Sequence, residues 1–259
     1  MRLEVDQGNT RVKWRLSSVQ GVHAEGSQLN LSAASELVNG VELALGQGEG
    51  ITSAALASVA GAEHQQALVD ALQVAFGVTA FLARSEPSRS VAGVAVMNGY
   101  DDPLSLGVDR WLAVIAAVAE FPGVPLVVVD AGSAINIEVI APDGRYLGGY
   151  IAPGLSMMSK ALLNNTGRVM FDVVEKAIMA PGINTAQAVA GGVGLAAMGL
   201  VDRVLGYAQS SWPGQPVTLI VAGGDGNDLI DGFRGALYRP NLVLDGLSIM
   251  ASNGVGAVD

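Results

Sequence analysis

Two separated stretches of the chain repeat one pattern of apolar and polar positions. Residues 3–16 read LEVDQGNTRVKWRL, and residues 127–140 read VVVDAGSAINIEVI. Each begins with an apolar run, continues through Asp-x-Gly and a small polar residue, and then alternates apolar and polar positions. Alternation with a period of two is typical of a half-buried β-strand. The pattern therefore predicts two strand–turn–strand hairpins in which Asp6 and Asp130 occupy equivalent places.

The rest of the chain mixes helix-like and strand-like patterns. Apolar spacing of three and four predicts helices, and short apolar runs predict strands. The predicted helices are Val41–Leu45, Glu63–Phe76, Val108–Glu120, Leu155–Leu163 and Ala188–Val201, and the predicted strands are Ile51–Val59, Val78–Ala83 and Val217–Ala222. Glycine and polar residues predict loops over Ser85–Gly99 and Gly148–Gly154. Ala188–Val201 is shorter than the ~20 residues that span a bilayer, so we interpret it as a core helix.

The turns of the two hairpins suit a phosphate group that carries a cation. Gly8 and Gly132 let backbone N–H groups approach a ligand, and successive N–H groups form an anion-binding nest. Asp6 and Asp130 would repel a bare phosphate, but carboxylates can hold Mg²⁺ that is bound to phosphate oxygens. Asp-x-Gly also occurs in ordinary hairpin turns, which remains the alternative for a single copy. Two copies favour a two-lobed clamp for nucleotide phosphates.

The composition excludes several functional classes. The 259 residues include 24 acidic and 14 basic ones, which gives a net charge of −10. With three lysines, the chain lacks the basic patch that a nucleic-acid-binding protein needs. It has no cysteine and two histidines, which excludes disulfides, thiol catalysis and zinc–thiolate sites. Charges interrupt the N-terminal apolar run, so we expect no signal peptide, no membrane partner and a cytoplasmic location.

Two predicted helix starts carry polar residues with more than one interpretation. Asp109 falls in the first turn of the apolar helix, where the helix dipole favours an anion. A capping acid and a functional carboxylate are equally compatible with that position. Either Asn184 or Thr185 could cap the long core helix. The pair Gly223-Gly224 after a buried strand either admits a nucleotide or forms a plain turn.

Taken in order, these motifs resemble those of the type III pantothenate kinases, a family of the acetate and sugar kinase/Hsp70/actin superfamily. The resemblance runs along nearly the whole chain and rests on five motifs: Asp6–Thr10 with Lys13, Leu106–Arg110, Asp130–Ala134, Gly148–Gly154 and Gly182–Thr185. It implies an α/β fold of two ribonuclease-H-like lobes, the actin-like ATPase duplication, with mixed sheets flanked by helices. We expect the lobes to span residues 1–121 and 122–259.

The resemblance also implies an activity, ligands and residue roles. The activity is ATP-dependent phosphorylation of pantothenate to 4′-phosphopantothenate, the first step of coenzyme A biosynthesis, in a homodimer. Asp109 would be the general base, Asp6 would hold Mg²⁺, and Asp130 would hold a monovalent cation, K⁺ or NH₄⁺. The residues implied to contact ATP are Asp6, Gln7, Gly8, Asn9, Thr10, Arg11, Val12, Lys13 and Ser133. Those implied to contact pantothenate are Tyr100, Gly107, Val108, Asp109, Arg110 and, across a dimer interface, Thr185.

The chain departs from the family pattern at two positions. Ser133 and Asn136 stand where the family usually has threonine. Serine keeps the hydroxyl, whereas asparagine changes the pattern of donors and acceptors. The alternatives are a non-catalytic regulatory protein that binds nucleotide or pantothenate, and a kinase of another small acceptor. The presence of Asp6 and Asp109 disfavours the first, and only the resemblance disfavours the second.

Overall fold

The computed structural model describes residues 1–30, 33–46, 48–165 and 180–254. Within these residues, strands and helices alternate along the chain. In order they are β1 (Arg2–Gln7), β2 (Arg11–Ser18), β3 (Gly21–Leu29), α1 (Ala33–Ala44), β4 (Ser53–Ser58), α2 (Ala62–Phe76), β5 (Ala80–Leu82), β6 (Ser88–Val91), β7 (Val94–Asn98), α3 (Val108–Glu120), β8 (Leu126–Ala131), β9 (Ala134–Ile140), β10 (Arg145–Pro153), α4 (Leu155–Asn165), α5 (Thr185–Ser211), β11 (Thr218–Ala222), α6 (Gly226–Ile230), β12 (Leu237–Tyr238) and α7 (Leu242–Gly254).

The chain divides into two compact units, each assembled from separate stretches. Unit 1 contains Met1–Pro87, Asp101–Ala116 and the chain from Leu242 onward. Unit 2 contains Ser88–Tyr100 and Ala117–Asn241. These units and the contiguous lobes 1–121 and 122–259 divide the chain differently, and the lobe boundary stays a prediction.

The sheet of unit 1 has the strand order β3-β2-β1-β4-β5. The first three strands pair antiparallel, and β4 and β5 continue the sheet in parallel. Alternate residues of the β1–β2 hairpin, such as Leu3, Val5 and Leu16, are fully buried in one core cluster. The predicted hairpin is therefore confirmed, with its apolar positions on one face of the sheet.

The opposite face of this hairpin holds a buried ion pair. Glu4 is fully buried, and its Oε2 accepts a hydrogen bond from Arg15 Nε at 2.7 Å. Arg15 also donates to Asp245 Oδ1 at 2.5 Å and to the Leu244 carbonyl at 2.9 Å. Burial lowers the pKa of Arg15, but Asp245 and Glu4 outweigh it, so the pKa is raised. These bonds connect α7 to the first two strands.

The sheet of unit 2 repeats the topology of unit 1. Its strand order is β12-β11-β8-β9-β10-β7-β6. Read from β10, the strands β10-β9-β8-β11-β12 reproduce the order of unit 1, with three antiparallel strands followed by two parallel ones. The additional hairpin β6–β7 extends the β10 edge. The repeated order confirms the α/β fold and the duplication that the sequence predicts.

The long helix α5 packs against the sheet of unit 2 through part of its surface. Ala197, Val201, Val204 and Ala208 belong to the same core cluster as β8 and β9, as expected of the predicted core helix. Within the described part of the chain, α5 is the one helix long and apolar enough to cross a membrane, by length and composition alone. A core helix of a globular protein passes the same test.

Two segments predicted as loops are strands, and those predictions are wrong. Ser85–Gly99 contains β6 and β7, joined by a two-residue turn in which Ala92 and Gly93 have φ values of 48° and 79°. Positive φ at both central residues is the geometry of a tight hairpin turn. Gly148–Gly154 lies almost wholly within β10, where the pairing shifts register between Tyr146 and Gly148. Gly148 has a φ of 103°, so glycine here accommodates an irregularity inside a strand.

Candidate functional site

The turn between β1 and β2 brings a carboxylate and an ammonium group to one side of the hairpin. Asp6 lies directly opposite Lys13 in the antiparallel register, so both side chains project from the same face of the sheet. Gly8, Asn9 and Thr10 form the turn, and the Gly8 N–H donates to the Arg11 carbonyl at 2.9 Å. Asn9, Thr10 and Arg11 are exposed. The turn thus presents polar groups to a ligand beside a partly buried carboxylate.

Gln7 and Val12 flank this turn but point into the interior. Val12 is fully buried in the apolar core. Gln7 is 1% exposed, its Oε1 accepts from Ser58 Oγ at 2.8 Å, and its Nε2 donates to Asn30 Oδ1 at 3.1 Å. Of the residues predicted to bind ATP, these two could contact a ligand through backbone atoms only. The side chain of Gln7 instead holds the turn to the end of β4.

Asp109 lies in the first turn of α3, as predicted. Its Oδ1 accepts a hydrogen bond from the Arg110 backbone N–H at 2.8 Å, so the carboxylate does engage the start of the helix. Burial raises the pKa of Asp109, although that hydrogen bond and the charge of Arg110 lower it. A carboxylate whose proton affinity is raised in this way is suited to accept a proton.

The chain just before α3 leaves room for the Asp109 carboxylate. A Cβ added to Gly107 would lie 2.6 Å from Asp109 Oδ1. The Ser85 hydroxyl donates to the Leu106 carbonyl at 2.8 Å and anchors the approach to the helix. Val108 and Arg110 are both buried, with 8% and 6% of their surfaces exposed. Gly107, Asp109 and Arg110 therefore form one local cluster in unit 1.

The turn between β8 and β9 repeats the first one with two differences. Asp130 lies directly opposite Asn136, so an uncharged amide stands where the first hairpin has Lys13. The turn has two residues, Gly132 and Ser133, where the first turn has three, and the Gly132 N–H donates to the Ala134 carbonyl at 2.9 Å. Ser133 is exposed, so its hydroxyl is accessible to a ligand.

Residues from later in unit 2 approach the Asp130 carboxylate. Gly223 follows β11 with a φ of 83°, and a Cβ there would lie 2.5 Å from Asp130 Oδ1. The Tyr238 hydroxyl donates to the Gly223 carbonyl at 3.0 Å. Burial and the charges of Asp130 and Asp228 raise the pKa of Tyr238. Sequence analysis missed Tyr238, because a tyrosine in a two-residue strand has no distinguishing pattern.

Tyr100 is held by two residues that sequence analysis also missed. Its ring stacks on Tyr146, with centroids 6.0 Å apart and planes 17° apart. Tyr146 is 1% exposed, and its hydroxyl donates to Glu138 Oε2 at 2.5 Å. Glu138 is itself 2% exposed. Glu138 could have been identified from the sequence, because it is an acidic residue inside the apolar segment AINIEVI and carboxylates are seldom buried without a partner.

Thr185 lies at the mouth of an apolar groove in unit 2. Asn184 caps α5, since its side chain accepts from the Gln187 N–H at 2.9 Å, and Thr185 is the exposed first residue of the helix. The groove has a volume of about 950 Å³ and runs between α4 and α5. Its walls include the exposed apolar side chains of Met157 and Ile183. Of the two residues that could cap α5, the cap is Asn184 and not Thr185.

The described residues contain no cluster of three or more His, Asp and Glu side chains that could hold a metal ion. Single carboxylates beside a turn, such as Asp6 and Asp130, are the kind of ligand that a cation uses when phosphate oxygens supply the rest. The donor set of the two turns therefore fits a cation that arrives with a nucleotide.

Comparison with known proteins extends these observations to the whole chain. A family model described as type III pantothenate kinase matches residues 2–206. The chain is 37% identical over 262 residues to a type III pantothenate kinase of Pseudomonas fluorescens, and 35% identical over 253 residues to one of Pseudomonas putida. Each alignment covers 96% of this chain and 98% of the relative.

Solved structures show the fold at lower identity. A Campylobacter jejuni protein described as a candidate Baf family transcriptional activator superposes with a TM-score of 0.59 at 20% identity, covering 98% of this chain and all of that one. The activator of 2-hydroxyisocaproyl-CoA dehydratase from Clostridium difficile, solved with ADPNP, gives 0.55 at 9% identity over 100% and 99% of the two chains. The neighbours have the actin-like ATPase and sugar kinase fold. With a matching family model and full-length relatives above 30% identity, the chain belongs to the type III pantothenate kinase family, whose activity is ATP-dependent phosphorylation of pantothenate.

Proposed function

We propose that Asp109 is the general base of this kinase and that the two glycine turns hold the ATP phosphates. The observation that carries the proposal is the place of the Asp109 carboxylate, in the first turn of α3 between the close approach of Gly107 and the side chain of Arg110; burial also raises its pKa. In phosphoryl transfer the catalyst mainly positions the reactants and neutralises charge, so one proton acceptor beside the substrate hydroxyl is sufficient.

The residues of the first turn are suited to the triphosphate. Asp6 would hold Mg²⁺ bound to phosphate oxygens, and Lys13, opposite it in the hairpin, would add a positive charge. The backbone of Gly8–Val12 would surround the phosphates, with the exposed Asn9, Thr10 and Arg11 as donors. When bound, the cation neutralises negative charge on the phosphates.

In the second turn, Ser133 would contact ATP through its hydroxyl, and Asp130 would hold a monovalent cation, K⁺ or NH₄⁺. The support is the neutral amide of Asn136 opposite Asp130, where the first hairpin provides an ammonium. Carbonyl and carboxylate oxygens are the ligands that hard cations prefer.

Pantothenate would be oriented by groups at its two ends. Arg110 is suited to its carboxylate because a guanidinium binds a planar carboxylate in a bidentate way. Gly107 and Val108 would contact it through the backbone, since Gly107 has no side chain and Val108 is buried. The half-buried ring of Tyr100 would pack against the ligand.

The reaction then needs one proton transfer. The primary hydroxyl of pantothenate attacks the γ-phosphorus, a new P–O bond forms, and the bond from the γ-phosphorus to the bridging oxygen of ADP breaks. Asp109 accepts the hydroxyl proton and afterwards releases it to solvent. Lys13 and Arg110 hold the two anionic substrates in place during this step.

We also propose that the enzyme is a cytoplasmic homodimer. Two copies joined along the apolar groove between α4 and α5 would cover Met157 and Ile183 and bring Thr185 to the pantothenate of the partner subunit. The net charge of −10 argues against a nucleic-acid partner.

The test is a coupled assay of ADP release with purified protein, ATP, Mg²⁺ and K⁺. We expect turnover with pantothenate and none with glucose, acetate or glycerol. Turnover with one of those acceptors instead would make the chain a kinase of another substrate. If no acceptor, pantothenate included, supports ADP release, the chain is a non-catalytic binding protein. Light scattering of the same sample should give twice the mass of 26.4 kDa.

A further inference from the structure

The segment that carries Tyr100 is fixed by three separate contacts with neighbouring strands. The Tyr100 backbone N–H donates to Asn98 Oδ1 at 3.1 Å. Gly99 lies so close to β10 that an added Cβ would be 2.0 Å from the Tyr146 carbonyl oxygen. The Tyr100 ring stacks on the Tyr146 ring. The ring of Tyr100 therefore contacts Tyr146, and the backbone of the preceding residue, Gly99, lies against the same residue.

Tyr146 is in turn held by a hydrogen bond to Glu138. Its ring is 1% exposed, and its hydroxyl makes a 2.5 Å hydrogen bond to the carboxylate of Glu138. Glu138 is itself 2% exposed, so both partners of this bond are shielded from water. Rotation of the Tyr146 ring would break this bond inside the protein, where water cannot replace it.

The strand register explains how these groups meet. Tyr146 pairs with Ile140 and Glu138 pairs with Gly149, with a shift in register between Tyr146 and Gly148. Ile140 and Glu138 are two residues apart in β9, so their side chains share one face of the sheet, and Tyr146 lies on that face opposite Ile140. Glu138 and Tyr146 thus lie on the same face of the sheet, within reach of one another.

We propose that Glu138 and Tyr146 are positioning residues for pantothenate, acting in series through the ring of Tyr100. The inference rests on the proposed contact between Tyr100 and pantothenate. Neither Glu138 nor Tyr146 needs to touch the substrate, because both are buried beneath the tyrosine that does. Their contribution is to hold that ring in one orientation before the substrate binds, which reduces the ordering cost of binding.

The first test is Tyr146→Phe, which keeps the stacked ring and removes only the hydroxyl. A displacement of about 1 Å at a reacting group can cost about 100-fold in rate, so we expect kcat/KM for pantothenate to fall by roughly 10-fold to 100-fold. Glu138→Gln, which removes the charge, should act in the same direction. The KM for ATP should change less than about twofold, because ATP does not use this ring.

A double-mutant cycle tests whether the effect passes through Tyr100. In a Tyr100→Ala background, Tyr146→Phe should cause no further loss in kcat/KM for pantothenate, since the ring it positions is gone. An undiminished loss in that background would overturn the proposal. So would a Tyr146→Phe enzyme with wild-type kcat/KM, or one in which both substrates are affected equally.

A matched control separates positioning from general destabilisation. Val204 is 3% exposed in the core of unit 2, outside the proposed site, and Val204→Ala should lower the melting temperature without selectively raising the KM for pantothenate. A selective rise in that control would show that destabilisation alone accounts for the effect. If the wild-type enzyme does not phosphorylate pantothenate, the proposed function fails; if it does and the cycle is additive, only the positioning role fails.

Discussion

Replacing Gly107 by alanine tests the position of the proposed general base without removing it. A Cβ at this position would lie 2.6 Å from Asp109 Oδ1, whereas ordinary van der Waals contacts begin near 3.4 Å. The carboxylate must therefore move by about 0.8 Å, the difference between these distances. A displacement of about 1 Å can cost about 100-fold in rate, so we expect kcat to fall by roughly that factor.

The fold should tolerate this change. The close contact is with a side chain that can rotate, and the φ of Gly107 lies outside the left-handed region, so alanine can adopt the same backbone conformation. We expect the free energy of unfolding to change by less than about 1 kcal/mol. Coupled measurement of ADP release at saturating ATP, with pantothenate varied, gives kcat and KM separately.

Gly206→Ala is the matched control. Gly206 lies in the interior of α5, and an added Cβ would meet no heavy atom within 4 Å. The same chemical change should leave kcat unchanged and stabilise the helix by roughly 0.5–1 kcal/mol. A folded Gly107→Ala enzyme with wild-type kcat would refute the reasoning, because the position of the Asp109 carboxylate would then not limit the reaction.

Three further predictions concern charged and polar side chains. Asp109→Asn should lower kcat by about 100-fold to 10,000-fold. Burial raises the pKa of Asp109, so the folded protein loses stability as the pH rises through the pKa of the folded state. Asparagine does not ionise, so the melting temperature of the variant should exceed that of the wild type by more at neutral pH than at acidic pH. Arg15→Met should cost about 3–5 kcal/mol in urea unfolding because it removes the ion partner of the fully buried Glu4, whereas Glu4→Leu combined with Arg15→Met should be close to neutral; equal losses in both would contradict this. Asn136→Lys, opposite Asp130, should make turnover independent of added K⁺ or NH₄⁺, and unchanged cation dependence would argue against a cation at Asp130.

Much of the fold could be predicted because its repeated parts follow simple periods. In the hairpins β1–β2 and β8–β9, apolar and polar residues alternate in β1, β2 and β9 while β8 is mainly apolar, and α3 is almost wholly apolar, so these patterns appear in the sequence. The hairpin β6–β7 was missed because its turn uses Ala92, a residue that rarely adopts a positive φ. β10 was missed because glycine ordinarily weakens the interior of a strand. In β10 the glycine at position 148 accommodates irregular pairing, which the sequence does not reveal.

The sequence could suggest the candidate site only where a motif is local. The Asp6 and Asp130 turns and the Asp109 helix start each occupy a few consecutive residues. Tyr238 could not be found in that way, because its position beside Gly223 and Asp130 depends on which strands become neighbours. Gln7 and Val12 show what such a motif leaves out, since the strand period directs both side chains into the core and leaves only their backbone for a ligand.

The two hairpins also differ in a way that limits which changes the chain can accept. In the first hairpin the positively charged Lys13 lies opposite Asp6. In the second hairpin the neutral Asn136 lies opposite Asp130. The first turn is also one residue longer than the second. Recombination that copied the second hairpin over the first would remove a charge and a turn residue together. The two hairpins are therefore not interchangeable, although the strands β10-β9-β8-β11-β12 keep the order of the sheet in unit 1.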